Sequence, residues 1–178
     1  NELEATEMEG ERLERKAFNM VAPALKDILI KDNLSPDFLI FKQSKTSTAQ
    51  YSSAYFLNEG NVFFRICFRG SQKYISVSSK YKNIIPSGIE CKIQRSDPNY
   101  CRIAIGCPDE IAGYLNVLER ILELQIDSYP TDFDCCSRYE ACSDAKKCIH
   151  PDHEMALGCA YHKNLRKGII FYGKNKNN

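Results

Sequence analysis

The sequence predicts an α+β fold: an antiparallel β-meander with a packing helix, an N-terminal helix and a C-terminal cysteine-rich module. Apolar and polar residues alternate between positions 38 and 105, an apolar stripe recurs at helical spacing between 111 and 126, and five of the nine cysteines fall within 135–159. These patterns divide the chain into an N-terminal helical segment at 1–33, the sheet plus helix at 34–129, and the cysteine-rich module with a basic tail at 130–178.

Composition and charge bound the class of protein. The 178 residues are 43% hydrophobic and 11% aromatic, enough for one domain, or one domain with an appended module. The formal net charge of +1 indicates no particular partner. No apolar run approaches the ~20 residues that span a bilayer, and the acidic N-terminus lacks the pattern of a signal peptide. We therefore expect no membrane partner and a reducing, cytoplasmic location, where disulfides are rare.

The N-terminal segment carries two helical patterns. Residues 2–16 are charged throughout and predict a solvent-facing acidic helix, which is a candidate docking element for a protein partner. Residues 17–30 are more apolar and predict a second helical stretch, which Pro23 would kink or begin. A start at Asn1 instead of Met is compatible with a piece of a longer protein.

The middle of the chain predicts about four or five antiparallel strands. Short runs such as KYISVSS, GIECKIQ and YCRIAIG are separated by turn residues at 58–61, 69–71, 86–88 and 96–99. In the run NVFFRICFR, strict alternation places two sets of side chains on opposite faces of a strand. One set is Val62, Phe64, Ile66 and Phe68, and the other is Phe63, Arg65, Cys67 and Arg69.

A helix follows the sheet. Pro108 suits a first-turn position, and Asp109 and Glu110 suit the positive end of the helix dipole. The apolar stripe predicts that this helix packs on one face of the sheet. Its residues are Ile111, Leu115, Leu118, Leu122 and Ile126.

The stretch from 135 to 159 is enriched in thiols beyond what core packing explains, because they are gathered beside charged residues. Cys136, Cys142 and Cys148 follow one another at spacings of five residues, and Cys159 follows after ten. The C-x5-C-x5-C spacing resembles the ligand loop of a family of winged-helix iron–sulfur regulators, and four thiolates can hold a [4Fe–4S] cluster. The sequence therefore favours a cluster bound by these four cysteines.

Other readings of the same stretch remain open. Zinc prefers ligands in close pairs, and Cys148-Ile-His150 and Cys159-Ala-Tyr-His162 offer such pairs. Cys135 or His150 can replace one of the four thiolates in either kind of site. A chance grouping of thiols, a disulfide framework and a redox-sensing role are further alternatives.

Basic residues in the tail are interleaved with aromatic ones, a pattern that suits phosphate contacts combined with base stacking. The same interleaving occurs in the sheet around residues 65–69. Nucleic acid is thus the favoured partner, although a solvated basic tail would look the same. The candidate contacts are Lys163, Arg166, Lys167, Tyr172, Lys174 and Lys176, with Arg65 and Arg69 on the sheet.

The runs FDCCSRYEACSDAKKCIHPD and GCAYHKNLRKGIIFYGKN resemble a cysteine-rich region of uncharacterised bacterial and phage proteins, some of which carry it beside exonuclease domains of the proofreading type. The resemblance covers about the last 50 residues of the chain. It implies a cysteine-bound metal and a context of DNA metabolism, without implying an activity.

Motifs for catalysis are weak. The chain has no Gly-rich phosphate loop, nucleophile elbow or H-E-x-x-H motif. Asp37, Glu90 and Lys92 match the letters of a PD-(D/E)xK nuclease, whose carboxylates hold Mg²⁺, but 52 residues separate the two motifs. We expect a metal-stapled nucleic-acid-binding or accessory protein in DNA metabolism rather than an enzyme, with the nuclease and a protein-interaction module as alternatives.

Overall fold

The computed structural model describes residues 2–32, 34–44, 50–57 and 59–128. In these ranges the chain forms a long helix, a six-stranded antiparallel sheet and a second helix, which confirms the α+β class. None of the helices there carries an apolar stretch that would cross a bilayer. The candidate metal ligands Cys135, Cys136, Cys142, Cys148, His150 and Cys159, and the tail residues Lys163, Arg166, Lys167, Tyr172, Lys174 and Lys176, lie outside the described residues.

Helix α1 spans Glu2–Lys31 without interruption, so the two predicted helical stretches are one helix. Its buried face runs from Gly10 to Leu29, and packing on both sides of Pro23 offsets the hydrogen bond that proline cannot donate. The expectation that residues 2–16 face solvent throughout is also corrected, since Gly10 and Glu14 are buried.

The sheet has six strands, one more than the four or five that the sequence predicts. Its order is β1-β2-β3-β4-β6-β5, so the meander holds for four strands and β6 then inserts between β4 and β5. All neighbouring strands are antiparallel. The strands are β1 Leu39–Gln43, β2 Ser52–Phe56, β3 Val62–Cys67, β4 Tyr74–Ser78, β5 Lys92–Gln94 and β6 Asp97–Ala104.

The turn expected at 96–99 lies earlier, at residues 95–96, and β6 already begins at Asp97. Proline inside a strand is tolerated where its missing N–H is not needed for the ladder. Pro98 meets this condition, because the ladder pairs of β6 include Asp97 and then residues 100–104 but not Pro98.

A register shift changes which residues of β3 reach the core. Ala54 of β2 pairs with Phe64, but Tyr55 pairs with Val62, which leaves Phe63 as an extra residue in β3. Such a bulge breaks the strict alternation of a strand. Phe63 and Phe64 are therefore both fully buried, and Val62 lies on the face of Tyr55. The predicted faces of Val62 and Phe63 are thus wrong, whereas Phe64 lies on its predicted face with Ile66.

Both helices lie on the same face of the sheet. The predicted stripe is confirmed: Ile111, Leu118, Leu122 and Ile126 are buried, and Leu115 packs against the core. The first part of the predicted helix, Pro108–Tyr114, is a 3₁₀ helix, and helix α2 follows at Leu115–Ser128. Helix α1 contacts β1, β2 and β3, and α2 contacts α1 and β3. Further short 3₁₀ helices occupy Pro36–Phe38 and Ser79–Ile84.

A buried ion pair fastens α1 to the sheet. The carboxylate of Glu14 is fully buried and accepts hydrogen bonds from Ser52 Oγ at 2.5 Å, from the Phe68 N–H at 2.9 Å and from Arg69 Nε at 3.1 Å. Arg69 Nη2 lies 3.1 Å from the second carboxylate oxygen. Gly10 lets the helix approach this closely, since a Cβ there would lie 2.5 Å from Arg69 Cγ.

This arrangement corrects the prediction that Arg69 contacts nucleic acid. Its side chain is almost completely buried, and its guanidinium also donates to the carbonyl oxygen of Ser44 at 2.8 Å. Glu11 lies 3.4 Å from the same guanidinium. Glu14 thus neutralises Arg69 inside the protein, and partly exposed Glu11 lies beside the same guanidinium.

Candidate nucleic-acid interface

The sheet face opposite the helices carries a line of polar residues, one from each strand. Residues that pair across antiparallel strands project from the same face, so the pairing register defines the line directly. We call it the cation row, because four of its six members are cations. In strand order its members are Lys42, Ser53, Arg65, Ser76, Arg102 and Lys92.

Tyrosine rings hold the two arginines of the cation row. The guanidinium carbon of Arg65 lies 3.6 Å from the ring centre of Tyr100 and 4.5 Å from that of Tyr51. That of Arg102 lies 4.1 Å from the ring centre of Tyr74. Each such contact contributes about 0.5–2 kcal/mol and keeps the planar guanidinium in one orientation. The Arg65 and Arg102 side chains remain 16% and 20% exposed.

The centre of the cation row has more positive than negative charge. Asp97 Oδ2 lies 3.6 Å from Arg65 Nη1 and 3.7 Å from Arg102 Nη2, so two guanidiniums share one carboxylate. At the two ends of the row, Lys42 pairs with Glu59 and Lys92 pairs with Glu90. An anionic ligand would thus find its strongest attraction at the two arginines.

Three buried polar atoms at the centre of the row have no hydrogen-bond partner in the part of the chain that the structure describes. They are Arg65 Nε, Ser76 Oγ and Arg102 Nε. Ser76 is fully buried and pairs in register with both arginines. All three atoms are inaccessible from outside, so a ligand would contact the exposed parts of the two guanidiniums instead.

Two tyrosines beside the row, Tyr74 and Tyr100, have a pKa above the ordinary value. Burial raises the pKa of Tyr74 from its ordinary value of 10.0 to about 12, and the neighbouring Cys67 contributes in the same direction. Burial also raises the pKa of Tyr100, although Arg65 acts against the shift. Both phenols therefore keep their protons and add no negative charge to the face.

Two depressions flank the central arginines. One of about 300 Å³ is bordered by Lys42, Tyr51, Tyr55 and Arg65, at the β1–β3 side. The other, of about 260 Å³, lies at the β5–β6 edge and includes Arg102 in its lining. The cation row therefore runs between two concave regions, not across a flat surface.

The structure does not bring the nuclease residues together. Asp37 is an exposed residue of the 3₁₀ helix before β1, whereas Glu90 and Lys92 belong to the region of β5. β1 and β5 are the opposite edges of the six-stranded sheet, which at ~4.8 Å per strand puts roughly 24 Å between them. Glu90 and Lys92 form an exposed ion pair with each other at 3.0 Å.

Several residues of this face were missed by sequence reasoning. Tyr100 and Arg102 alternate on β6 with buried Cys101 and Ile103, a signal that the sequence contains. What the sequence lacks is the strand order that places Arg102 beside Ser76. The disulfide between Cys91 and Cys101 was not predicted either, since we expected a reducing compartment.

Comparison with family models, curated protein sequences and solved structures finds no match for this chain. Within the ranges described above, no three or more Cys, His, Asp or Glu side chains are grouped so as to hold a metal ion. The metal site predicted for the cysteine-rich stretch, and the resemblance of that stretch to a module found beside exonucleases, therefore stay predictions. The function proposed below is inferred from the residues and geometry of the sheet face.

Proposed function

We propose that this protein binds single-stranded nucleic acid on the face of the sheet that carries the cation row, as an accessory protein in DNA metabolism. The supporting observation is the interleaving of guanidinium groups and tyrosine rings around Arg65 and Arg102. Single-strand binders combine cations that contact phosphates with aromatic rings that stack on bases. The row crosses all six strands, roughly 24 Å, which suits a segment of several nucleotides.

The experiment is a titration of the whole chain with a fluorescently labelled single-stranded oligonucleotide of about 12 nucleotides, at two salt concentrations. Replacing Arg65 and Arg102 together by glutamine removes two phosphate contacts. We expect binding at least roughly tenfold weaker and a salt slope reduced by about 1.4, since each contact with a single strand contributes about 0.7.

The matched control is Arg120→Gln, because Arg120 is exposed on α2 and is paired with Glu123. It removes a surface arginine from the helix side of the molecule and should leave both affinity and salt slope unchanged. Thermal melts of each variant confirm that the fold is retained. Equal binding by the double variant and the control, or binding without salt dependence, would contradict the proposal.

The cysteine-rich stretch supports a second part of the proposal. We infer that Cys136, Cys142, Cys148 and Cys159 bind a [4Fe–4S] cluster, with zinc as the alternative metal. The support is the spacing of these residues and the local enrichment in thiols. The basic residues of the following tail would then extend the nucleic-acid contact beyond the sheet.

Metal content is tested by an optical spectrum and metal analysis of protein purified without oxygen. A cluster predicts a brown protein with stoichiometric iron and sulfide, and zinc predicts a colourless protein with stoichiometric zinc. Chelation or loss of the metal is expected to unfold the cysteine module selectively, because so short a segment has little apolar surface to bury. Protein that carries neither metal contradicts this part of the proposal.

A protein partner at the start of α1 is a second candidate function. Leu3 and Met8 are 67% and 65% exposed among the glutamates of the first helical turns. Exposed apolar side chains on an acidic helix suit a partner with a basic rim around an apolar groove. This candidate gains support if the oligonucleotide titration gives no salt-dependent binding.

A further inference from the structure

The β5–β6 edge of the sheet contains a cavity whose features are not explained by the proposed contact with single-stranded nucleic acid. It is the second of the two depressions, with a volume of about 260 Å³, and its lining includes Arg102 and Lys92, the last two members of the cation row. A space of this size can hold a small anionic group such as a phosphate, and its charged lining favours an anion over an apolar side chain. Its lining includes Lys73, Tyr74, Glu90, Lys92, Gln94 and Arg102.

The lining has a net positive charge and so suits an anion. Three of the described lining residues are cations, namely Lys73, Lys92 and Arg102, against the single carboxylate of Glu90. The difference, three minus one, is two positive charges. Glu90 lies 3.0 Å from Lys92 Nζ and so neutralises one of the three. Outside the lining, Asp97 lies 3.7 Å from Arg102 Nη2 and is shared with Arg65, so it neutralises part of the charge of Arg102.

Arg102 supplies directed hydrogen bonds as well as charge. Its guanidinium is fixed over the ring of Tyr74, and its side chain remains 20% exposed, so the outer part of the group is accessible to a ligand. A planar guanidinium forms paired hydrogen bonds with two oxygens of one phosphate or carboxylate. At the rim, Gln94 Nε2 donates to Gln72 Oε1 at 2.9 Å, which holds both amides in place.

We propose that this cavity binds a phosphate monoester, and that in the complex with nucleic acid it holds the terminal phosphate of the strand. The role of the cavity in holding a terminal phosphate rests on the proposed binding of nucleic acid, since Arg102 belongs to both the cavity and the cation row. A monoester carries a charge of about −1.5 to −2 at pH 7 and three acceptor oxygens, whereas a phosphate within the strand carries one charge. The lining has the charge and the donors for the former.

The test compares three oligonucleotides of one sequence that carry a 5′-phosphate, a 3′-phosphate or hydroxyls at both ends. We expect one phosphorylated end to raise affinity roughly tenfold, the amount that charge-assisted hydrogen bonds contribute. The gain should fade as pH is lowered through about 6, where the monoester takes up a proton. Lys73→Gln should abolish the gain and leave the affinity for the unphosphorylated strand unchanged, and Arg120→Gln should preserve the gain.

Calorimetric titrations with inorganic phosphate and with a nucleoside monophosphate test whether the cavity binds a free phosphate compound or only the phosphorylated end of a nucleic-acid strand. If the parent protein binds the monophosphate and Lys73→Gln binds it more weakly, the cavity is supported as a monoester site. This holds even if no oligonucleotide binds; that result would refute the proposed contact with nucleic acid but not the monoester site. Equal binding of all three oligonucleotides, with no binding of phosphate or monophosphate, overturns the cavity and leaves the strand contact standing. A gain that survives in Lys73→Gln and Lys73→Glu also overturns it.

Discussion

Replacing Glu14 by glutamine is expected to lower the free energy of unfolding by about 3–5 kcal/mol, the cost of removing one partner of a buried ion pair. Glu14 is fully buried, and its carboxylate receives two groups of Arg69, the Ser52 hydroxyl and the Phe68 N–H. The amide removes the negative charge and turns one acceptor into a donor. Arg69 then stays buried without adequate compensation. Urea unfolding followed by circular dichroism at neutral pH measures the loss.

Glu11→Gln is the matched control for this prediction. It makes the same chemical change on the same helix and affects the same guanidinium, but Glu11 is 36% exposed and its contact with Arg69 is 3.4 Å long. Because Glu11 is partly exposed, water can solvate the side chain at position 11, and Arg69 keeps the buried carboxylate of Glu14 in this variant. The loss should therefore be clearly smaller than that of Glu14→Gln, about 1 kcal/mol. If Glu14→Gln unfolds at the urea concentration of Glu11→Gln, the pair does not anchor the helix.

The burial of Glu14 could not be predicted from a local sequence pattern. Its neighbours along α1 are charged, and its partner Arg69 lies 55 residues further along the chain. No window of the sequence contains both residues, so the segment reads as a solvated acidic helix. By contrast, the stripe of α2 was predicted correctly because periodicity within fourteen residues specifies its buried face.

The strands show the same division between local and long-range information. Alternation predicts correctly that Arg65 faces away from Phe64 and Ile66, but a single extra residue in β3 reverses the expected faces of Val62 and Phe63. The bulge depends on the pairing with β2, which the sequence of β3 does not contain. Propensity and period thus specify that a strand exists, whereas its partner specifies which side chains are buried.

The candidate site needed still more long-range information. Of the residues that build it, the sequence singled out Arg65 as a nucleic-acid contact and Lys92 as part of a nuclease motif. Their place in one row follows from the order β4-β6-β5, in which the last two strands exchange positions relative to the chain. A plain meander would have put Lys92 beside Ser76 and moved Arg102 to the sheet edge. In the order found, buried Ile75 of β4 pairs with buried Ile103 of β6, and Arg102 therefore lies beside Ser76 on the opposite face.

Loss of the Cys91–Cys101 disulfide is the second large effect that we expect, about 3 kcal/mol of unfolding free energy. The bond closes a loop of sequence separation 10 with a Cα–Cα distance of 5.7 Å, and chain entropy gives this magnitude for a loop of that length. The appropriate variant combines Cys91→Ser with Cys101→Ala, because Cys101 is fully buried and a hydroxyl there would lack a partner. Urea unfolding of the oxidised parent and of the variant gives the difference.

The loss should be concentrated at the sheet edge. β5 has three residues and pairs with β6 alone, so without the disulfide its amides should exchange with solvent much faster than those of β4. Cys107→Ser is the control, since Cys107 is an exposed free thiol whose replacement should change neither stability nor exchange. Unchanged protection of β5 in the double variant would mean that strand pairing alone holds the edge.

The oxidation state of this pair in cells also tests the proposed cytoplasmic location. Disulfides seldom persist in a reducing cytoplasm, whereas cysteines must be reduced thiolates to bind a metal. Acid quenching of intact cells, followed by alkylation under denaturing conditions that expose Cys101, should therefore modify Cys91 and Cys101 if the protein is cytoplasmic, and spare both if it resides in an oxidising compartment. In the first case the stability from the disulfide is present only after oxidation, and the edge that carries Lys92 and Glu90 is loose in the reduced protein. The affinity of the adjacent cavity for phosphate should then differ between protein treated with a dithiol and oxidised protein, and the Cys91→Ser/Cys101→Ala variant should show the reduced value under both conditions.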